Sequence, residues 1–295
     1  MGKVVSAGSI RTDELEVLGL RTRLLQAGPV PDEEAVVLVH GGPGCADDWE
    51  DLLPRIGAFA PALAFDLPGF GEADKPAKWS GYLSVGWATF IAAVLNRLGL
   101  RKVHLVAHDF GGDAALTWAA AHPESFASAV LINTGVLIGY RWHAIAKLHR
   151  IPVFGLAPAW AGRLGFRTVM RLYEPGLPKP VVDHWRDGYD WGTRRALLRF
   201  YRATSTAGGG RIADDLYRLD RPALVIWGAR NRFIPVQQAE RQRQSFPNAR
   251  IEVLEGTGHY PHLDSPEQIA ALAIPFLQHQ LSNPGERRLS SRPSA

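Results

Sequence analysis

The stretch VHLVAHDFGG, Val103 to Gly112, changes character in its middle. Val103 to Val106 read as a buried strand, Ala107 to Gly111 as a sharp turn, and a helix starts near Gly112. Small residues at 107, 111 and 112 let the strand and helix backbones approach closely around a strained turn. Such a turn lifts the side chain at its centre above the sheet edge. Here that side chain is Asp109. A carboxylate so placed can act as a nucleophile. It can equally be a helix N-cap, bonding orphan N–H groups with no chemistry attached. The surrounding sequence separates the two.

Outward from this turn, apolar runs alternate with helical patterns. Upstream lie Ala35 to Val39, a helix over Asp47 to Ile56, Ala62 to Phe65, and a helix over Val85 to Leu98 that stops at Gly99. Leu15–Gly19 and Arg21–Ala27 read as a hairpin with glycine at its turn. Downstream come a strand over Ala127 to Ile132, another over Ala223 to Trp227, a helix over Val236 to Phe246, a strand over Ile251 to Leu254, and a closing helix over Pro266 to Leu281. Continuous apolar strands are those covered on both faces. Repeated strand–helix units predict an α/β fold with a doubly wound, mostly parallel sheet. Between about 136 and 213 the alternation stops, and helical patches rich in Trp, Arg, Tyr and Pro replace it. The organisation expected is therefore a core of residues 1–135 and 214–295, its tail from 283 disordered in composition, with a helical insertion over 136–213. The turns His40–Gly44, Asp66–Gly71, His108–Gly112, Asn133, Gly228–Arg232 and Gly258–His259 all follow strands. Ligands of such sheets bind at the carboxyl ends of strands, so this convergence favours a reactive Asp109 over a bare cap.

Composition narrows the function classes. The chain has 295 residues, 46% of them hydrophobic, with nine Trp, enough for one large buried interior. Net charge is +4, without the basic stripe that nucleic-acid binding requires. No apolar run reaches the roughly 18 to 20 residues needed to span a bilayer, and no signal pattern opens the chain, so a cytoplasmic protein is expected. The opening Met-Gly-Lys-Val-Val-Ser matches a myristoylation pattern literally, a short match with little force. The one cysteine, Cys45, reads as a packed small residue. No metal cluster or dinucleotide fingerprint is visible, so no cofactor is expected. The oligomeric state is left open, homo-oligomers included.

Together these residues resemble the α/β-hydrolase family over roughly residues 14 to 281. The family's G-x-nucleophile-x-G elbow is matched by Ala107-His108-Asp109-Phe110-Gly111, with Ala in place of the first Gly. His40-Gly41-Gly42-Pro43 is similar to the family's HGxP oxyanion turn, and the order of Asp109 and His259 fits nucleophile first, histidine last. The insertion corresponds to the family's helical cap. An Asp nucleophile in an HDxGG elbow resembles epoxide hydrolases and several dehalogenases. The resemblance implies attack by Asp109 on an electrophilic carbon to form an ester, which water activated by His259 then hydrolyses. It places the oxyanion on N–H groups of Phe110 and of Gly41 or Gly42. His40 and His108 read as structural. Epoxide opening further needs an acid, which family epoxide hydrolases take from cap tyrosines. Tyr201 matches one such position well and Tyr173 the other less well, with Tyr140 and Tyr189 as competitors. Dehalogenases use side-chain donors at positions that hold Phe110 and Gly42 here, neither of which has one.

One departure matters. The family's triad acid follows either of two strands, and those positions hold Asn231 and Asn133. Asn231 can orient His259 by a hydrogen bond without lending it charge, and such a change slows a Ser triad by about 10⁴. Asp264 and Glu255 are sequence-near substitutes. The alternatives are a non-hydrolytic cyclase, lyase or isomerase using Asp109 and His259 as an acid–base pair, or a silent ligand-binding homologue. Between Arg141 and Arg202 there are twelve Arg or Lys against four Asp or Glu, with Trp142, Trp160, Trp185 and Trp191. A basic run is usually a solvated face. The sharper expectation is an aromatic pocket, Trp142 included, for a bulky hydrophobic substrate, an anionic one included.

Overall fold

The computed structural model describes residues 9–151, 162–204 and 209–282. The myristoylation-like start, Trp160 and the tail from 283 lie outside them. Eight strands form one sheet: β1 (Arg11–Val17), β2 (Leu20–Ala27), β3 (Glu34–Val39), β4 (Ala62–Phe65), β5 (Lys102–His108), β6 (Phe126–Ile132), β7 (Ala223–Gly228) and β8 (Arg250–Leu254). Their order is β1-β2-β4-β3-β5-β6-β7-β8. β1 and β2 form the expected hairpin, β2 meets β4 antiparallel, and every later pair is parallel.

The apolar runs are continuous because both faces of the sheet are covered. Val37, Val39, Leu105, Ala107 and Leu131 belong to one core cluster, packed with the helices Ser84–Arg97 and Asp109–Ala121. Their neighbours Val36, Leu38, Val106 and Val130 belong to the other, under Leu52–Gly57 and Pro266–Ser282. Side chains alternate across a strand, so neither set can be polar.

Three local expectations change. The helix over Asp47 to Ile56 divides into a 3₁₀ turn, Ala46–Trp49, and an α-helix, Leu52–Gly57. The helix expected over Val236 to Phe246 is an α-helix over Gln237–Arg241 followed by a 3₁₀ turn, Gln242–Gln244. A helix over Gly209–Leu219 crosses the expected boundary at 213 and puts Ala213 and Leu216 into the core. Its glycine-rich start hides it in the sequence.

At the elbow the helix begins at Asp109 itself, earlier than expected. The close approach inferred from small residues is real: a Cβ on Gly111 would stand 1.9 Å from the His40 carbonyl oxygen. That neighbour is backbone and cannot swing away. Gly111→Ala is therefore expected to lower stability by about 3 kcal/mol or more, checked by urea unfolding. A loss under 1 kcal/mol contradicts the packing.

Candidate active site

Asp109 has a left-handed backbone, φ +49°, and so stands above the ends of β3, β5 and β6. Its Oδ1 accepts the Gly42 N–H at 3.3 Å, and Oδ2 lies 3.1 Å from His259 Nε2. Burial alone raises this carboxyl. The hydrogen bond and electrostatic pull of His259 outweigh burial and, with smaller contributions from His108 and the Phe110 N–H, lower it to about 2. The Asp109 carboxylate, His259 and the N–H groups of Gly42 and Phe110 thus meet at one place. Gly41 must be glycine here, because a Cβ would lie 2.4 Å from that of Asp109.

His259 follows β8 and is fixed through its backbone. Its carbonyl accepts Asn133 Nδ2 at 2.8 Å and lies 2.8 Å from His108 Nε2. Its N–H donates to Glu174 Oε2 at 3.0 Å. Its Nδ1 is buried without a hydrogen-bond partner among the described residues. Asn231 does not fill that gap, contrary to expectation. Its Oδ1 accepts the N–H groups of Phe233 and Ile234, each at 2.9 Å, so its acceptor is closed within its own turn. Asn133 is occupied likewise, with Oδ1 on the Gly228 N–H at 2.9 Å. Glu255 is exposed, and Asp264 bonds the Gly258 N–H, at 3.4 Å, and the Ser265 side chain.

The remaining histidines of the turns are structural, as their positions suggest. His40 Nε2 accepts the Leu67 N–H at 2.9 Å, and its Nδ1 lies 2.8 Å from the Gly41 carbonyl. Cys45 is buried with Sγ 3.6 Å from Asp47 and 3.5 Å from His184. Such a trio resembles a metal-ligand set, but Arg23 already bonds the same Asp47 oxygen at 2.8 Å and supplies the positive charge.

Two cavity lobes, about 90 and 120 Å³, flank Asp109 and share His143 and Tyr201. Phe110, Trp142 and Phe200 line the first, and Leu197, Phe233 and Tyr260 the second. Neither lobe has Lys or Arg among its described lining, so the anionic group anticipated from the basic insertion has no counterion there. Two of the insertion's arginines make structural bonds instead: Arg186 pairs with Asp183 at 2.8 Å, and Arg202 caps the His149 carbonyl at 3.1 Å. Tyr201 keeps its proton, because burial and Asp109 hold its hydroxyl well above the usual range. Tyr140 lines the first lobe, but its hydroxyl is bonded to the Phe233 carbonyl at 2.9 Å. Tyr189 lines the second lobe. Tyr173 lines neither lobe and packs its ring 5.5 Å from that of Phe233. It ends its helix, Gly162–Tyr173, behind Phe233 of the second lobe.

The family profile described as alpha/beta hydrolase fold matches residues 34–266, which include the elbow, the oxyanion turn and His259. The chain belongs to the α/β-hydrolase fold family. Among similar proteins are the uncharacterized hydrolase YugF of Bacillus subtilis (27% identical, covering 84% of this chain and 91% of that protein) and the 2-hydroxy-6-oxononadienedioate/2-hydroxy-6-oxononatrienedioate hydrolase of Burkholderia vietnamiensis (29%, covering 83% and 87%). Solved structures of the same fold include epoxide hydrolase VrEH1 of Vigna radiata, with TM-score 0.77, 18% identity and coverage of 92% and 98%. Serine hydrolase CCSP0084 of Cycloclasticus zankles has TM-score 0.78, 20% identity and coverage of 93% and 100%.

Three residues of this α/β-hydrolase escape a reading by motif. His143 touches both lobes; burial lowers its ring to about 4, so it is neutral, and its Nδ1 accepts the Ala146 N–H at 3.3 Å. That tautomer puts the ring proton on Nε2 as a donor. Tyr260 donates to the Gly42 carbonyl at 2.9 Å and ties the histidine loop to the oxyanion turn. Its place directly after His259 is the only sequence signal for it. Glu174 adjoins Tyr173, which the cap-tyrosine pattern singles out instead.

Proposed function

We propose that the protein is an epoxide hydrolase working through an ester on Asp109. The observation that carries this reading is a carboxylate at the elbow, bonded on one oxygen to a backbone N–H and facing His259 with the other. The mostly apolar lobes suit a hydrophobic small molecule. Asp109 Oδ2 attacks an epoxide carbon, the ring C–O bond breaks, and the departing oxygen takes a proton from the Tyr201 hydroxyl, with His143 Nε2–H as a second donor. Oδ1, on the Gly42 N–H, becomes the ester carbonyl oxygen. His259 Nε2 then removes a proton from water, whose oxygen adds to the ester carbon while Oδ1 carries the charge. Collapse breaks the ester, the alcohol oxygen takes up the proton held by His259, the proton left on the Asp109 carboxyl passes to solvent, and Tyr201 is reprotonated from solvent. Epoxide and water give a diol. On this reading the helical insertion acts as a cap that brings the acid.

A single turnover of excess enzyme with styrene oxide in ¹⁸O water tests this. Label is expected in the Asp109 carboxylate and not in the diol. Labelled diol with unlabelled Asp109 overturns the ester mechanism. A rearranged product formed with no water incorporated identifies the acid–base alternative. Tyr201→Phe removes the donor while keeping the ring. Its kcat is expected to fall about 100-fold or more with little change in melting temperature, and an unchanged kcat removes Tyr201 from the reaction.

A further inference from the structure

His259 Nδ1 and Glu174 Oε1 are both buried and both without a hydrogen-bond partner among the described residues. They belong to two residues already joined, since the His259 N–H donates to the other oxygen of Glu174 at 3.0 Å. Glu174 is only 4% exposed. Buried polar groups are normally satisfied, and a pair of complementary orphans on touching residues points to a shared proton. Gly258 makes room for the approach: a Cβ there would stand 2.2 Å from Oε2.

We propose that Glu174 is the positioning residue for His259, supplying from the helical insertion the carboxylate that positions 231 and 133 lack. Nδ1–H donates to Oε1, directly or through one buried water. The proposal rests on the ester mechanism for its role in turnover, though not for its geometry. While Asp109 is ionised, its charge holds a proton on Nε2. Ester formation removes that charge. The carboxylate beyond Nδ1 then draws that proton from Nε2 to Nδ1 by exchange with solvent, leaving the Nε2 lone pair free to take a proton from water. Glu174 touches no substrate in this scheme. The charged groups around it are His259, Asp264 and Arg232. Asp264 is the rival, since its Oδ1 is also buried without a partner among the described residues, but it bonds the residue before His259, at 3.4 Å, and is less buried.

NMR titration of ¹⁵N-labelled histidines tests the geometry without any substrate. In Glu174→Gln the proton affinity of His259 is expected to fall about tenfold, because a neutral amide replaces a carboxylate. Glu174→Asp is expected to retain most of it, and Asp264→Asn to leave it within about twofold. An unchanged His259 in Glu174→Gln, or an equal fall in Asp264→Asn, overturns the proposal. Should Glu174→Gln not fold, Asp109→Asn reports independently. Its neutral side chain mimics the ester's loss of charge, and His259 is expected as the Nδ1–H tautomer; the Nε2–H tautomer overturns the proposal. In single turnovers with styrene oxide, Glu174→Gln is expected to slow ester hydrolysis at least 100-fold and ester formation far less. If the wild type forms no ester, the ester mechanism fails, and the titration alone still judges Glu174.

Discussion

In His259→Gln, Asp109 is expected to become alkylated and to stay alkylated. The two halves of the proposed reaction ask different things of the site. Ester formation needs an ionised Asp109 and a proton donor; the donor survives loss of the imidazole, and Asp109, without the pull of His259, keeps the Gly42 and Phe110 N–H groups to hold its charge. The Gly42 N–H still holds Oδ1, and Tyr201 still lines the cavity. Ester hydrolysis needs a base, and glutamine is none. Steady-state turnover should fall by about 10⁴-fold or more, the scale set by removing one member of a catalytic unit. Mass spectrometry of the peptide carrying residue 109 should show one substrate mass added per protein. A variant that is inactive yet unmodified argues that Asp109 does not attack. A variant that turns over at the wild-type rate removes His259 from the chemistry.

Acid should destabilise the fold well above the range where carboxylates titrate. Burial keeps His108 neutral down to about 3 and His143 down to about 4, against 6.5 for a free imidazole. His40, His149 and His262 shift in the same direction. A histidine whose folded value is depressed binds more protons when unfolded. Its contribution is whole above pH 6.5 and is lost as pH falls towards the folded value. From pH 7 to pH 5, His108 and His143 should each cost about 2 kcal/mol. Asp48, Asp113, Glu174 and Asp264 oppose this, since burial raises their carboxyls and favours the fold as they protonate. The clean measurement is therefore a difference. By urea unfolding, His143→Gln should lose about 2 kcal/mol less than the wild type between those pH values. Parallel losses would show that His143 is not held neutral.

The core was legible because its rules are local. Apolar runs with no polar alternation mark strands covered on both faces, and a turn built from Ala107, Asp109 and Gly111 marks where the sheet presents a side chain. The elbow, the HGxP turn and His259 all follow strands of one parallel run and so open at one sheet edge, where His108 and Asn133 hold the loop after β8. The insertion obeys no such register. Glu174 meets His259 across 85 positions of sequence, and only helix packing sets that contact. The cap-tyrosine pattern did point to the right helix end, but adjacent helical side chains diverge by about 100°. Tyr173 faces Phe233 and Glu174 faces the histidine loop. Asn231 misleads for another reason. Its position matches the family acid, but nothing local shows that its oxygen is closed onto Phe233 and Ile234.

The bond from the His259 N–H to Glu174 makes the insertion more than an exchangeable specificity module. A chimera given a foreign insertion would change its substrate range and also uncap a loop of the recipient's catalytic core. Recombination among relatives would then conserve 174 and 259 as a linked pair inherited together, although one belongs to the insertion and the other to the sheet.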